Sequence, residues 1–250
     1  MKIQLIRNAT LRLTYAGKTI LIDPMLTHKH VIRSFAGISE NPTVDLPMTA
    51  ESVIADIDAV LISHLHPDHF DPMAQEMLNK ELPLFCPPAI TAGISEMGFN
   101  NLLTVEESIT WEGITITRTV AQHGYGKLAD MMGPVSGFIF TAEGEPSLYL
   151  MSDTVWYDGV EQLLNGEQPD VIITHSGGAT FKAGDPPIIM DLEQTIQVAE
   201  AVANAQVIAV HLESLDHCPV TREQLRTAAA ESGIANRFHA PEDGETIELA

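Results

Sequence analysis

Three imidazoles and a carboxylate fall within six residues of the run Ile62-Ser63-His64-Leu65-His66-Pro67-Asp68-His69-Phe70. In an extended chain alternate side chains share a face, so His64 and His66 can converge on one ion. Pro67 ends the strand, and the turn after it can bring Asp68 and His69 to a second position nearby. Imidazole nitrogen and carboxylate oxygen are the donors that borderline divalent metals prefer. A metal-free, His-rich surface turn is the competing explanation. Against it, Ala59-Val60-Leu61-Ile62 sets the cluster at the end of a buried strand, where free imidazoles are costly.

Such residues work only if the backbone holds them, and the flanking pattern reads as strands followed by helices. Ile3–Ile6, Leu11–Tyr15 and Thr19–Ile22 are predicted strands, the last two joined at Ala16-Gly17 like a hairpin. Residues 24–47, with His28, His30, Pro42 and Pro47, form a long irregular stretch of the kind that serves as a functional loop or lid. Asp58–Ile62 is a short buried strand leading into the histidines. Asp71 before Pro72 signals a helix start, predicting a helix to Lys80. Leu82–Cys86 is a further strand, and Pro88–Met97 a helix closed by Gly98. A block of strands follows at Leu102–Val105, Ile109–Trp111, Ile114–Ala121, Val135–Thr141 and Ser147–Met151. A helix over Val155–Leu164 precedes the strand Val171–Thr174. Asp191-x-x-Gln194 and Thr221-x-x-Gln224 read as capping boxes opening helices to about Asn204 and Ser232, with Val207–Val210 a strand between them. Arg237–His239 and Thr246–Leu249 end the chain as strands. Strand blocks followed by helices, with the pattern recurring in the second half, fit two sheets packed together with helices outside.

Composition narrows the partners. The 250 residues carry 13 Lys+Arg against 34 Asp+Glu, a net charge of −21 at pH 7. Such a surface repels phosphate backbones and anionic lipid, which points to a small-molecule substrate rather than nucleic acid or membrane. Two cysteines, Cys86 and Cys218, are too few for a disulfide framework. No apolar run reaches the roughly 18 residues that span a bilayer, and Met1–Arg7 reads as a strand rather than a signal peptide. The expectation is a cytoplasmic globular protein, with a homo-oligomer left open.

His-x-His-x-Asp-His after a buried strand resembles the metal motif of the metallo-β-lactamase-fold superfamily. Ala121-Gln122-His123-Gly124 is similar to that superfamily's third metal motif. Tyr149-Leu150-Met151-Ser152-Asp153-Thr154 is similar to the motif whose aspartate bridges two metals, and Val207-Ile208-Ala209-Val210-His211 to the last one. With Ile22-Asp23-Pro24 and Thr174-His175-Ser176-Gly177-Gly178-Ala179, the pattern resembles the branch containing the ascorbate-6-phosphate lactonases. The resemblance implies an α/β, four-layer αββα sandwich of two mixed sheets covering residues 1–250 as one hydrolase domain. It also implies two divalent metal ions, zinc ahead of manganese, iron or cobalt. Carried over by position, His64, His66 and His123 would hold one ion, Asp68, His69 and His211 the other, and Asp153 would bridge them. Ser152 departs from the pattern, since related sequences usually have glycine there.

Each scattered residue has a plainer explanation. His123 or His211 alone would be an ordinary packed or surface histidine; their order at strand ends points to ligands. His175 also ends a strand and should face the same cleft, but it is surplus to a seven-ligand set. Contact with substrate or support of the ligands suits it better than ligation. Asp23 is either a turn residue before Pro24 or the orienter of a ligand histidine. Tyr157 and Cys218 are read as packing, Met131-Met132 as a pocket wall, and His28, His30 and His239 as solvated.

The expected activity is dinuclear metal-dependent hydrolysis of a small lactone or carboxylic ester, with a small phosphate diester as the alternative substrate. In that chemistry Asp68 could accept a proton from the attacking water and His175 could give one to the leaving oxygen. Lys29, Arg33, Lys127 and Lys182 could hold an anionic tail. Specificity is expected in the loops 24–47, 124–134 and 176–190. Iron redox chemistry finds no appended flavin domain here, and a decayed scaffold would have lost a ligand that this chain keeps.

Overall fold

Alternation of apolar side chains decides which way each strand faces. The computed structural model describes residues 1–182 and 184–249. Its first half runs β1 (Lys2–Arg7), β2 (Thr10–Tyr15), β3 (Lys18–Ile22), α1 (Ala50–Ile54), β4 (Ala59–Leu61), α2 (Pro72–Met77), β5 (Leu84–Cys86), α3 (Pro88–Glu96) and β6 (Leu102–Thr104). The middle contributes β7 (Ser108–Trp111), β8 (Ile114–Val120), α4 (Lys127–Met132), β9 (Ser136–Thr141) and β10 (Leu148–Leu150). The remainder is α5 (Asp158–Glu167), β11 (Val171–His175), α6 (Leu192–Ala201), β12 (Gln206–Val210), α7 (Arg222–Glu231), β13 (Phe238–His239) and β14 (Thr246–Glu248).

These strands form two seven-stranded sheets, ordered β14-β1-β2-β3-β4-β5-β6 and β13-β12-β11-β10-β9-β8-β7. Ile3, Leu5, Leu11 and Leu13 of the first sheet meet Phe138, Phe140, Leu150, Ile173 and Val210 of the second in one buried core. The alternate residues are apolar too. Val60 and Ile62 pack outward against helices α1 to α3, and Ile172, Val207 and Ala209 against α5 to α7. A strand buried on both faces requires cover on both, which gives the helix–sheet–sheet–helix layering. The α/β sandwich expected from the sequence is the fold observed.

The hairpin at Ala16-Gly17 has positive φ at both residues (47° and 76°), the turn that matches strand twist. Two short helices are not anticipated by the sequence pattern, and some predicted boundaries shift. Helix α1, capped by Thr49, and helix α4, after Gly126 with φ 55°, are each one or two turns long, too short for a periodic signal. Helix α2 stops at Met77 rather than Lys80, and α5 starts at Asp158 rather than Val155. Thr221 and Gln224 do form a closed capping box. Asp191 caps α6 alone, because the Gln194 side-chain oxygen accepts from Trp156 N instead.

Residues 24–47 are pinned rather than loose. Buried Arg7 of β1 donates to the carbonyls of Met25, Thr27 and Val44, holding both ends of the stretch. No helix among the described residues is long and apolar enough to cross a membrane.

Candidate metal centre

Strands β3 and β4 are parallel, as are β10, β11 and β12, so their carboxyl ends open along one edge of the sandwich. Asp23 follows β3, His64 to His69 follow β4, His123 follows β8, Asp153 follows β10, His175 ends β11 and His211 follows β12. Ligand sites of open α/β sheets lie at such ends, where successive strands each contribute one turn. Three of these turns take positive φ at a non-glycine residue: Asp23 (44°), Ser152 (58°) and His211 (62°).

Asp153 sits at the middle. Its Oδ2 lies 3.2 Å from His69 Nε2, 3.3 Å from His123 Nε2 and 3.7 Å from His64 Nε2. Its Oδ1 lies 2.6 Å from His175 Nδ1 and 3.9 Å from His211 Nε2. Donor atoms of His64, His66, His123 and Asp153 lie within 4.8 Å of one another, as do those of His69, Asp153, His175 and His211. One carboxylate therefore belongs to both groups. Asp68 stands beside the second, with Oδ2 3.2 Å from His211 Nε2 and 3.6 Å from His69 Nε2.

The outward nitrogens settle which inward ones carry lone pairs. His123 Nδ1 donates to the Ile188 carbonyl at 2.7 Å, and His66 Nε2 to the Met132 carbonyl at 3.1 Å. Carbonyls only accept, so in the neutral rings His123 Nε2 and His66 Nδ1 are bare. His69 Nδ1 donates to Asp23 Oδ2 at 2.9 Å. Asp23 also accepts from Ser63 N at 2.7 Å and from the Ser63 hydroxyl at 2.6 Å. That hydroxyl lies 2.9 Å from His64 Nδ1 and accepts its proton. Asp23 thus orients two histidines, one directly and one through Ser63, a residue that carries no sequence signal beyond its neighbours.

His64 Nε2 and His66 Nδ1 consequently face each other as lone pairs at 3.0 Å, an arrangement that repels unless a cation lies between. His69 Nε2 and His175 Nε2 are buried without a hydrogen-bond partner. Ligand atoms about 2.0–2.2 Å from one zinc ion stand about 3–3.5 Å apart, the spacing seen around Asp153. The donor set fits metal.

Charge follows the same pattern. Burial, with His69 nearby, holds His64 well below the usual histidine range, and burial also lowers His123 and His175. Burial opposes protonation of His69 as well, but Asp153 and Asp68 override it and push His69 to about 10. His211 is likewise raised, by Asp153 and by its contacts with Cys218 and Asp68, against burial. Asp153 and Asp68 stay ionised despite burial because of His69 and His211. Protons here occupy the place that cations would take.

A family model described as "Beta-lactamase superfamily domain" matches residues 18–212. The chain belongs to that superfamily. "UPF0173 protein YddR" of Bacillus subtilis is 36% identical over 252 residues, spanning 98% of this chain and 99% of that one. The crystal structure of a possible metal-dependent hydrolase from Veillonella parvula superposes with a TM-score of 0.95 at 34% identity, covering 100% of this chain and 99% of the other. That of an isothiocyanate hydrolase from Delia radicum gut bacteria gives 0.94 at 36% identity, with the same coverage. The protein is a metal-dependent hydrolase of the metallo-β-lactamase fold.

Within this superfamily member a cavity of about 130 Å³ opens on the centre. His66, Asp68, His123, Asp153 and His211 form its floor, and Phe35, Met132, Phe181, Ile188 and Ile189 are among its walls. All three loops expected to set specificity contribute to those walls. His217, next to Cys218 and not singled out from sequence, faces the cavity too, with Nδ1 buried and unpartnered among the described residues. His175 does not line it; its Nδ1 is taken by Asp153, which suits an orienter of that carboxylate rather than a proton donor to substrate. None of Lys29, Arg33, Lys127 and Lys182 lines the cavity itself; Lys182 lines an adjoining depression that shares Phe181 and His217 with it. Cys218 Sγ lies 3.6 Å from His211 Nδ1 and so braces a candidate ligand instead of packing alone. Tyr157 hydroxyl bonds the Val120 carbonyl, away from the centre.

Proposed function

We propose that residues 1–250 form one hydrolase domain that holds two divalent cations and hydrolyses a small uncharged molecule at an electrophilic carbon. His64, His66 and His123 would hold the first ion, and Asp68, His69 and His211 the second, with Asp153 spanning both. Zinc suits this mixed nitrogen and oxygen set, and manganese, iron or cobalt could replace it. When bound, the ions supply hydroxide near neutral pH and polarise the substrate's heteroatom. The side chains do the rest. His175 fixes the Asp153 carboxylate, Asp68 takes a proton from the attacking water, and His217, kept neutral by burial, offers a hydrogen bond to the leaving heteroatom. The two free thiols fit a reducing, cytoplasmic setting.

The observation that carries the substrate class is the wall of the cavity. It is apolar, with no lysine or arginine, so it accommodates a short uncharged tail and gives no charge partner to an anionic one. Isothiocyanates have this character, and the solved isothiocyanate hydrolase is similar over its whole length. Water would add its oxygen to the central carbon and a proton to nitrogen; the thiocarbamic acid then divides into an amine and carbonyl sulfide. A small lactone or carboxylic ester offers the same kind of carbon and is the second substrate to test. A phosphate diester would set a charged group and two ester arms against apolar walls.

The experiment is turnover of the metal-loaded protein with alkyl isothiocyanates, γ-lactones, aryl carboxylic esters and aryl phosphodiesters at equal concentration. Isothiocyanate or lactone turnover lost on chelation is the expected result. Faster hydrolysis of the phosphodiester than of every carbon electrophile would overturn the reading.

A further inference from the structure

Asp216 lies outside the metal centre, yet its carboxylate accepts hydrogen bonds from six donors on one loop. Oδ1 takes Phe35 N at 3.1 Å and Asn41 Nδ2 at 2.9 Å. Oδ2 takes the Ser34 hydroxyl, Ala36 N at 3.2 Å, Ile38 N at 3.2 Å and Ser39 N at 3.3 Å. In return Asp216 N donates to Asn41 Oδ1 at 2.8 Å. The Ser34 hydroxyl oxygen extends the network by accepting from Gly37 N at 2.6 Å and Ile38 N at 3.1 Å. The backbones of Ile32 and Asn41 close the loop's base with a reciprocal pair at 2.7 Å. Burial alone would raise this carboxyl; the bonds from Ser34, Asn41 and the loop amides instead hold it well below the ordinary carboxylate range. It is an anion throughout the neutral range, ringed by six donors of which, among the described residues, only Ile38 N has a second acceptor, the Ser34 hydroxyl.

Two consequences converge on the cavity. The loop gathered around Asp216 carries Phe35, whose ring meets the His217 ring edge-on at 5.0 Å and forms part of the cavity wall. The residue after Asp216 is His217 itself, opposite Phe35. No apolar core holds this loop: Ile38 at its tip is 78% exposed. Glu40 Oε2 adds one bond, from Ser34 N at 3.1 Å, but the six bonds to Asp216 dominate, so the loop's shape and the position of Phe35 depend chiefly on that carboxylate.

We propose that Asp216 is a positioning residue for substrate selection: by folding residues 34–41 around its carboxylate it sets Phe35 against His217 as the wall that receives the apolar tail of the substrate. The metals and their ligands would handle the reacting carbon of any small substrate, while the Asp216–Phe35 unit discriminates by tail. This rests on the reading of the cavity as the hydrolase site for small apolar electrophiles.

The test uses the zinc-loaded full-length protein and two chelating probes, acetohydroxamate and a phenylalkyl hydroxamate, with binding measured by calorimetry. Asp216→Ala and Phe35→Ala are each expected to weaken the phenylalkyl probe about tenfold, as loss of one aromatic contact implies, and to change acetohydroxamate less than about twofold. The double variant should be no weaker than Phe35→Ala alone, because both act through one ring. Hydrogen exchange supplies a readout free of any ligand: Asp216→Ala should lose protection at amides 35, 36, 38 and 39, and Phe35→Ala should keep it. Ser34→Ala, a milder cut in the same network, should shift both readouts in the same direction by less. Equal weakening of the two probes, additive losses in the double variant, or unchanged exchange would overturn the positioning role while leaving the hydrolase reading intact. A zinc-loaded native protein that binds neither hydroxamate would overturn the hydrolase reading, and the positioning role with it.

Discussion

Asp23→Asn is a nearly isosteric change that should disable both metal sites without touching a ligand. The native carboxylate accepts from Ser63 N through Oδ1, and from the Ser63 hydroxyl and His69 Nδ1 through Oδ2. An asparagine keeps the first bond by presenting its carbonyl to Ser63 N. Its amide nitrogen then replaces Oδ2, and that group only donates. His69 must answer with a lone pair at Nδ1, so its proton moves to Nε2, the nitrogen 3.2 Å from Asp153. The Ser63 hydroxyl loses its acceptor as well and turns its proton to His64 Nδ1, which drives the His64 proton onto Nε2. One atom exchange thus flips a histidine in each group. Loss of such an orienting partner costs about 10–100-fold in metal affinity, equivalent to about 1.4–2.8 kcal/mol per ion. Competition with a chromogenic chelator measures each affinity, and ring nitrogen NMR of the metal-free protein reports the His64 tautomer and whether His69 keeps its proton on Nδ1. Ser63→Ala is the control. It cuts only the link to His64 and should weaken one ion while the other stays within about threefold of native. Native affinity for both ions in Asp23→Asn, or equal weakening of both ions in Ser63→Ala, would refute this relay.

Alanine at His64, His66 or His123 should deplete one ion in elemental analysis, alanine at His69 or His211 the other, and Asp153→Ala both; an Asp153→Ala protein with two tightly held ions refutes the spanning role. His175→Ala is expected to keep its ions and lose rate, since its Nδ1 serves Asp153. Loading should be pH-dependent. The raised folded values of His69 (to about 10) and His211 mean both rings hold protons at neutral pH without metal, and ligation must expel them. Metal uptake in weakly buffered solution should therefore acidify it, with affinity rising as pH climbs; affinity unchanged between about pH 6 and 9 would contradict the assignment. Ser152→Gly removes a side chain held at φ 58° together with a buried hydroxyl that has no partner. It should stabilise by about 1 kcal/mol, raising Tm by about 2–4 °C in a calorimetric scan.

What the sequence disclosed depended on how local its signal was. The buried strands were legible because residues such as Val60, Leu61, Ile172 and Ile173 are apolar on both faces and so announce two covered sides. The run from His64 to His69 was legible because the geometry of a strand followed by a turn is itself local. His123, Asp153 and His211 become meaningful only when strands distant in sequence are laid side by side, and a resemblance rather than spacing brought them together. The roles of Ser63 and Asp216 were not readable at all. A serine beside a histidine and an aspartate in a turn are ordinary, and their importance lies in partners 40 and about 180 positions away.

The positive-φ residues show why the centre sits where it does. A non-glycine residue in the left-handed region costs about 1–2 kcal/mol, and Asp23, Ser152 and His211 each accept it one or two residues beyond the carboxyl end of a parallel strand. A chain leaving β3, β10 or β12 in an extended path would carry its next polar side chain away from the sandwich edge. The left-handed turn folds it back over the strand ends, so Asp23 reaches His69, Asp153 follows Ser152 into the middle of the donors, and His211 meets Asp68. Glycine would relieve each turn, but only Ser152 could become glycine without loss of a working side chain. At Asp23 and His211 the strained residue is itself the group that the centre uses. Backbone strain at those two positions is therefore tied to the chemistry, whereas at Ser152 it is not, and that difference is what Ser152→Gly measures.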